Sequence, residues 1–495
     1  MGDVVLVCHQ ARAQGRLRDR GVPLRFIQTG GGLAVLPAAT VCISARPPGW
    51  ALLDGGERMS GITILAAVFA LYALLAGRLD RLSITAPMVF VAVGAILGPG
   101  ASGLLQVSFS SETTLAITEI TLALLLFADA STVPFRDVEE DASLPGRLLF
   151  IGLPLTVTLG AVLAHLMEPS FGWAAAALVA TILAPTDAAL GLAVVTNSSV
   201  PERIRRALNI ESGLNDGLAS PFVALFLALV VSEESSANEG WVAASVTQIG
   251  LAVVTALVVG LGGGRLVGRA RSHRWTSAMS EQLAVLALAV LAYTGSVAIG
   301  GNGFVAAFLG GLFFGQATKG SLDGPVEFSE TVGLFMSFFV WTLFGALFVG
   351  PVLTRQVSLT AICYAVLSLT VVRMFPVALA LLGLGLQPST WLFMGWFGPR
   401  GLASVVFTLV ALEDLKPGSV QGNPLVQVAT WTILLSVVAH GVSAGLLATR
   451  YGARMRSLGD VPELAPAHEM RMRRRSLTRH WSPSGDTVDP GGEHR

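Results

Sequence analysis

Ala207 to Val231 reads ALNIESGLNDGLASPFVALFLALVV, an apolar run of bilayer-spanning length that carries Glu211, Ser212, Asn215 and Asp216. A charged carboxylate at membrane depth costs at least a few kcal/mol, so each acid must be protonated, paired with a cation, or both in turn. On a helix Glu211 and Asn215 stand at i and i+4, as do Ser212 and Asp216, which makes two adjacent polar stripes. The stretch therefore reads as a membrane helix holding a cation or a proton.

The rest of the chain agrees with a membrane setting. Its 495 residues are 53% hydrophobic and only 13% charged, with many long uncharged runs, so the expected fold class is an all-α polytopic membrane protein. Spans of about 20 residues are expected near 60–77, 84–105, 114–130, 147–167, 172–196, 207–231, 241–267, 281–300, 303–317, 328–349, 357–385, 391–413 and 425–448, about thirteen in all. Alternate loops collect basic residues: Arg78 and Arg81; Arg136 and Arg147; Arg203, Arg205 and Arg206; Arg265, Arg269, Arg271 and Arg274; then Lys319. Arg355 and Lys416 are the exceptions. By the positive-inside rule, the first helix starts outside the cell membrane and the tail, with Arg450, Arg454, Arg456 and the run from Arg471 to Arg475, is cytoplasmic.

Three domains are expected. Residues 1–58 form a basic arm, with Arg12, Arg16, Arg18, Arg20, Arg25 and Arg46, and lack the apolar core of a signal peptide. The purine-rich codons implied by Gly55-Gly56-Glu57 point to translation from Met59, and otherwise to a loosely attached arm. Residues 59–448 form the transmembrane domain, and 449–495 a polar, disordered tail. Cys8, Cys42 and Cys363 are too few and scattered for a disulfide framework or a metal motif. No cofactor is called for. Gly262-Gly263-Gly264 lacks the Lys-Ser/Thr of a phosphate loop, and no nucleic-acid partner is indicated.

Other membrane-depth polar residues extend the theme. Glu119 and Asp129 share the third span, Glu119 a candidate for the ion pathway and Asp129 for the interface. Pro185 interrupts the fifth span ahead of Thr186 and Asp187, so backbone carbonyls there can join a hydroxyl and a carboxylate as hard oxygen ligands for an alkali cation. Arg373 in VVRMFP wants an acid, and Glu211 is the candidate. Gly398-Pro399-Arg400-Gly401 breaks the twelfth span in the manner of Pro185, with a cation where the first break has an acid. Two such breaks are the mark of an inverted-repeat transporter with its site near the midplane. His165 and His440, near helix ends, read as interfacial or structural, and Gly310-Gly311 and Gly315 suit close helix packing.

These residues resemble the sodium/proton antiporters of the monovalent cation:proton antiporter-1 family over about Ile62 to Ala448. The likeness rests on ESGLNDG at 211–217, PTD at 185–187, the lone arginine of VVRMFP and FGPRG at 397–401. It implies that Asp216 binds the ion or the proton, that Asp187, Thr186, Ser212 and Asn215 complete a sodium site, and that Glu211 bridges to Arg373. It further implies a core domain of six helices against a dimerisation domain, and a homodimer in the lipid bilayer. Asn215 before Asp216 is similar to the electroneutral exchangers. The expected function is exchange of Na+, or K+ or Li+, for H+ by competition at one buried acid. The alternatives are an ion channel or a proton-coupled transporter of another small solute. An intramembrane aspartyl protease, using Asp187 and Asp216, lacks its Gly-x-Gly-Asp context, so no enzyme is expected.

Overall fold

A computed structural model describes residues 25–29, 32–36, 55–105, 112–133, 143–187, 190–235, 241–319, 321–355, 357–415 and 423–465. Most of the basic arm, Arg136, Lys416 and the basic run from Arg471 to Arg475 lie outside the described residues. The chain divides into two units, Met1–Gly56 and Glu57–Arg495. In the first, β1 (Arg25–Thr29) pairs antiparallel with β2 (Gly32–Leu36), Phe26 in register with Val35 and Ile27 with Ala34.

The regular elements described in the second unit are all helices. Its elements are α1 (Gly55–Arg81, which begins at the end of the first unit), α2 (Ala86–Leu97), α3 (Glu112–Ser131), α4 (Ser143–Met167), α5 (Trp173–Ile182), α6 (Leu192–Val195), α7 (Glu202–Ser235) and α8 (Val242–Ser272). They continue as α9 (Ala278–Ala298), α10 (Gly303–Thr318), α11 (Asp323–Thr354), α12 (Leu359–Leu381), α13 (Pro388–Trp396), α14 (Leu402–Leu415) and α15 (Pro424–Leu458). Among the described residues nine helices are long and apolar enough to cross a bilayer, and α2, α5 and α10 are shorter apolar companions. The protein is a multi-pass membrane protein built from helices, because only hydrogen bonding within each segment satisfies the backbone in lipid.

Small residues let the central helices approach closely. A side chain at Gly311 or Gly315 of α10 would collide with the backbone of α3 at Phe127 and Ser131, so these glycines set the spacing of that pair. Around them a continuous apolar cluster joins α3, α5, α7, α10, α11, α14 and α15.

Three sequence expectations are revised. The span expected at 357–385 is interrupted inside α12, where Thr370 leaves helical geometry at φ −107°, ψ −86°. Arg373 therefore sits in the first turn after a break. The tail expected from Thr449 begins as helix: Ala448, Tyr451 and Met455 continue a buried stripe at helical spacing, which carries α15 to Leu458. A short 3-10 turn, Pro462–Leu464, follows and buries Glu463. His440 is not near a helix end: it stands midway along α15 at 1% exposure, which fits the structural of its two readings.

Candidate functional site

The site is built on two helix interruptions. Helix α5 stops at Ile182 because Pro185 denies its turn a donor, and the chain continues non-helical through Asp187. Helix α13 stops at Trp396 ahead of Pro399, and α14 restarts at Leu402. Each interruption strands backbone groups that lipid cannot satisfy, and the two breaks satisfy one another. The Asp187 amide donates to the Pro399 carbonyl at 2.8 Å. In return the Leu402 amide, the first of α14, donates to Asp187 Oδ2 at 3.2 Å. Ser404 Oγ donates to the Ile182 carbonyl at 2.7 Å, and Arg400 Nη1 to the Ala184 carbonyl at 2.6 Å. Arg400 Nη2 reaches the Ser368 carbonyl at 3.4 Å, just before the break in α12. Arg400 is fully buried and spends its charge on the negative ends of these segments. Gly401 is required here, since a Cβ would overlap the Asp187 side chain.

Helix α7 passes this crossing with its polar face inward. Asn215 Nδ2 donates to Thr186 Oγ1 at 2.6 Å, and Thr186 Oγ1 lies 3.3 Å from Ser212 Oγ. Thr186, Ser212 and Asn215 thus form one buried cluster, at 1%, 9% and 1% exposure. Asn215 Oδ1 is buried without a protein partner, an acceptor oxygen left over inside the cluster. Asp216, the next residue, is half-buried, and Gly217 beyond it packs on Phe308 of α10 with no room for a side chain. Glu211 is engaged elsewhere: its Oε1 lies 2.6 Å from Arg373 Nη1, both side chains all but inaccessible. The i, i+4 stripes read from the sequence are therefore divided between partners, with Glu211 on Arg373 and Asn215 on Thr186.

The remaining candidates lie further out. Glu119 of α3 is half-buried and hydrogen-bonded to Tyr293 of α9, with Glu413 and Asp414 at the end of α14 acting on it electrostatically. Asp414 also lines a cavity of about 360 Å³ together with Ser220, Gln248, Asn302, Phe304 and Phe407. Ser220 is one turn beyond Asp216 on α7, so the cavity approaches the site along that helix. His165 ties the end of α4 to the Phe171 carbonyl at 2.8 Å.

Sequence reasoning missed Ser368, Ser404 and Ser436, and read His440 as interfacial or structural without tying it to the break. Ser436 accepts from the Arg400 amide at 2.7 Å, and His440 contacts Ser436. The signal was present: Ser436 and His440 are a polar pair at i and i+4 in the otherwise apolar stretch 433–441. Taken together, the crossing offers hydroxyl, amide and carboxylate oxygens with two buried arginines nearby. That donor set suits a hard cation and not a soft metal.

Comparison with known proteins places these features in a wider group. Residues 64–450 match the family described as sodium/hydrogen exchanger, transmembrane. The K(+)/H(+) antiporter NhaP2 of Shewanella sp. (strain ANA-3) is 25% identical over 402 residues, 79% of this chain and 67% of that protein. The Na(+)/H(+) antiporter of Schizosaccharomyces pombe is 26% identical over 396 residues, 72% of this chain and 82% of that protein. The solved structure of the sodium proton antiporter MjNhaP1 from Methanocaldococcus jannaschii superposes with a TM-score of 0.60 at 21% identity, covering 80% of this chain and 99% of that one. It shares the fold.

Proposed function

Because this chain belongs to the sodium/hydrogen exchanger family, we propose that it is a secondary antiporter exchanging a monovalent alkali cation, Na+ first, for H+ across the cell membrane. The observation that carries this reading is the buried Thr186, Ser212 and Asn215 cluster, with its spare Asn215 oxygen, set one residue before Asp216 at the joint of two broken segments. Asp216 is the exchanging acid in this reading, and Asp187, Thr186, Ser212 and Asn215 supply further oxygens to the ion.

Charge accounting supports one-for-one exchange. Arg373 and Arg400 bring two positive charges into the crossing, while Glu211, Asp187 and Asp216 bring three negative ones when all are ionised. One proton or one alkali cation makes the set neutral; both together leave an excess charge in a medium that penalises it. Proton and cation therefore compete, and only the singly loaded crossing moves between inward-open and outward-open states. The coupling needs no energy source beyond the two gradients.

The wider assignments belong to the same proposal. The distribution of basic loops supports a cytoplasmic tail and an external start of α1. Residues 59–448 act as the antiporter domain, a core carrying the crossing against a dimerisation part, in a lipid-embedded homodimer. The cavity lined by Asp414 and Ser220 supplies a water-accessible approach to Asp216 along α7.

The test is a reconstituted exchange assay. A pH dye inside vesicles reports proton movement when Na+, K+ or Li+ is added, with and without an imposed membrane potential. Exchange is expected with at least one cation, insensitive to potential, and absent in Asp216→Asn. The apparent half-saturation for the cation rises as pH falls, because protons occupy the same acid. Exchange retained by Asp216→Asn removes that residue from the mechanism.

A further inference from the structure

Helix α15 passes behind the break between α13 and α14 and presents Ser436 and His440 to it, one turn apart. The Arg400 amide donates to Ser436 Oγ at 2.7 Å. Ser436 Oγ lies 3.1 Å from His440 Nδ1, and His440 Nε2 lies 2.8 Å from the Trp396 carbonyl. Trp396 is the last residue of α13, and Arg400 stands two before the start of α14. One helix therefore grips both edges of the interruption through a chain of three hydrogen bonds.

With the proton on Nε2, a neutral imidazole links the two edges: Nε2–H donates to the Trp396 carbonyl, the Ser436 hydroxyl donates to Nδ1, and the hydroxyl oxygen accepts from the Arg400 amide. The Ser436 carbonyl also lies 2.8 Å from Nδ1 and is the acceptor for the tautomer protonated there. Trp396 stacks at a tilt beside the imidazole with centroids 5.0 Å apart, its indole N–H donates to Ser443 Oγ at 3.0 Å, and Ser436 and His440 are both buried.

What the chain fixes is the position of the Arg400 backbone. From there the guanidinium reaches the Ala184 carbonyl, and the adjoining Pro399 carbonyl receives the Asp187 amide. Those two contacts set the register of Pro185-Thr186-Asp187, and Thr186 is the hub of the buried oxygen cluster. We propose that His440 is a positioning residue for ion exchange: through Ser436 it sets the crossing of the two breaks, and with it the spacing of the oxygens that receive the cation. The inference rests on the exchange reading above, though His440 itself touches neither cation nor proton.

The experiment compares His440→Gln, His440→Leu and Ser436→Ala in vesicles at matched protein density, reading apparent cation half-saturation, maximal rate and melting temperature. Gln places an amide N–H within reach of the Trp396 carbonyl, whereas Leu keeps volume and loses both polar atoms. His440→Leu is expected to raise cation half-saturation on the order of tenfold, the equivalent of one buried hydrogen bond. His440→Gln stays close to the parent. Ser436→Ala shifts half-saturation in the same direction, and adding it to His440→Leu changes little more, since both cut one chain. Should His440→Leu fail to assemble, Ser436→Ala carries the comparison alone. Unchanged half-saturation in Ser436→Ala or in an assembled His440→Leu overturns the proposal. So does His440→Gln impaired as much as His440→Leu, which assigns His440 to packing. If the parent protein itself moves no protons on cation addition, it is the exchange reading that fails.

Discussion

Arg373→Ala isolates what the Glu211 pair contributes. The two side chains meet at 2.6 Å at 2% and 3% exposure, so neither charge is screened by water. Glu211 Oε2 and the Arg373 Nε and Nη2 atoms have no other hydrogen-bond partner, which leaves each side chain dependent on the other. Removing Arg373 strands a buried carboxylate, a loss of about 3–5 kcal/mol when one member of a buried pair is deleted. That corresponds to roughly a hundredfold to several-thousandfold in the folded-to-unfolded ratio. The assay is a melt of purified protein in detergent, followed by size-exclusion of the residual fraction, for Arg373→Ala, Glu211→Gln and the double variant. Arg373→Ala should melt well below the parent. The double variant, which leaves no buried charge at either position, should recover much of the loss. An Arg373→Ala protein as stable as the parent refutes the argument, as does a double variant no better than the single.

Three further outcomes follow from the packing. Gly401→Ala places a methyl group into the Asp187 side chain, where the breaks are backbone-bonded and cannot separate, so exchange should be lost, with a stability cost of about 1–3 kcal/mol in a melt. Gly311→Ala forces α10 away from the α3 backbone at Phe127; a lower melting temperature is expected, and an unchanged one contradicts the close packing of that pair. Glu463→Gln weakens the carboxylate that accepts from the Gln387 amide at 2.7 Å and from Thr390 Oγ1 at 2.6 Å, at the start of α13. A loss of about 0.5–2 kcal/mol is expected from the helix-end charge and the weakened hydrogen bonds, with cation half-saturation unchanged; a shifted half-saturation would show that this contact reaches the ion site.

In the sequence, hydropathy alone marked the chain as a helical multi-pass membrane protein, because lipid admits few ways to satisfy a spanning backbone. The proline at 185, the Gly-Pro at 398–399 and the acids of Glu211 to Asp216 were equally visible there, since each breaks a rule that apolar helices otherwise keep. Tertiary structure alone decided who meets whom. Glu211 and Arg373 are 162 positions apart, as the numbering in the chain gives, and only folding sets one against the other. The same holds for Asp187 with Leu402, Arg400 with Ala184, and Ser436 with Arg400, each a donor and acceptor from segments far apart in the chain. The break at Thr370 and the helical continuation past Thr449 also escaped the sequence, because neither is marked by proline or glycine and both depend on what the neighbouring helices offer. A residue's polarity is local and can be read directly; its partner is fixed by packing, which one-dimensional periodicity does not encode.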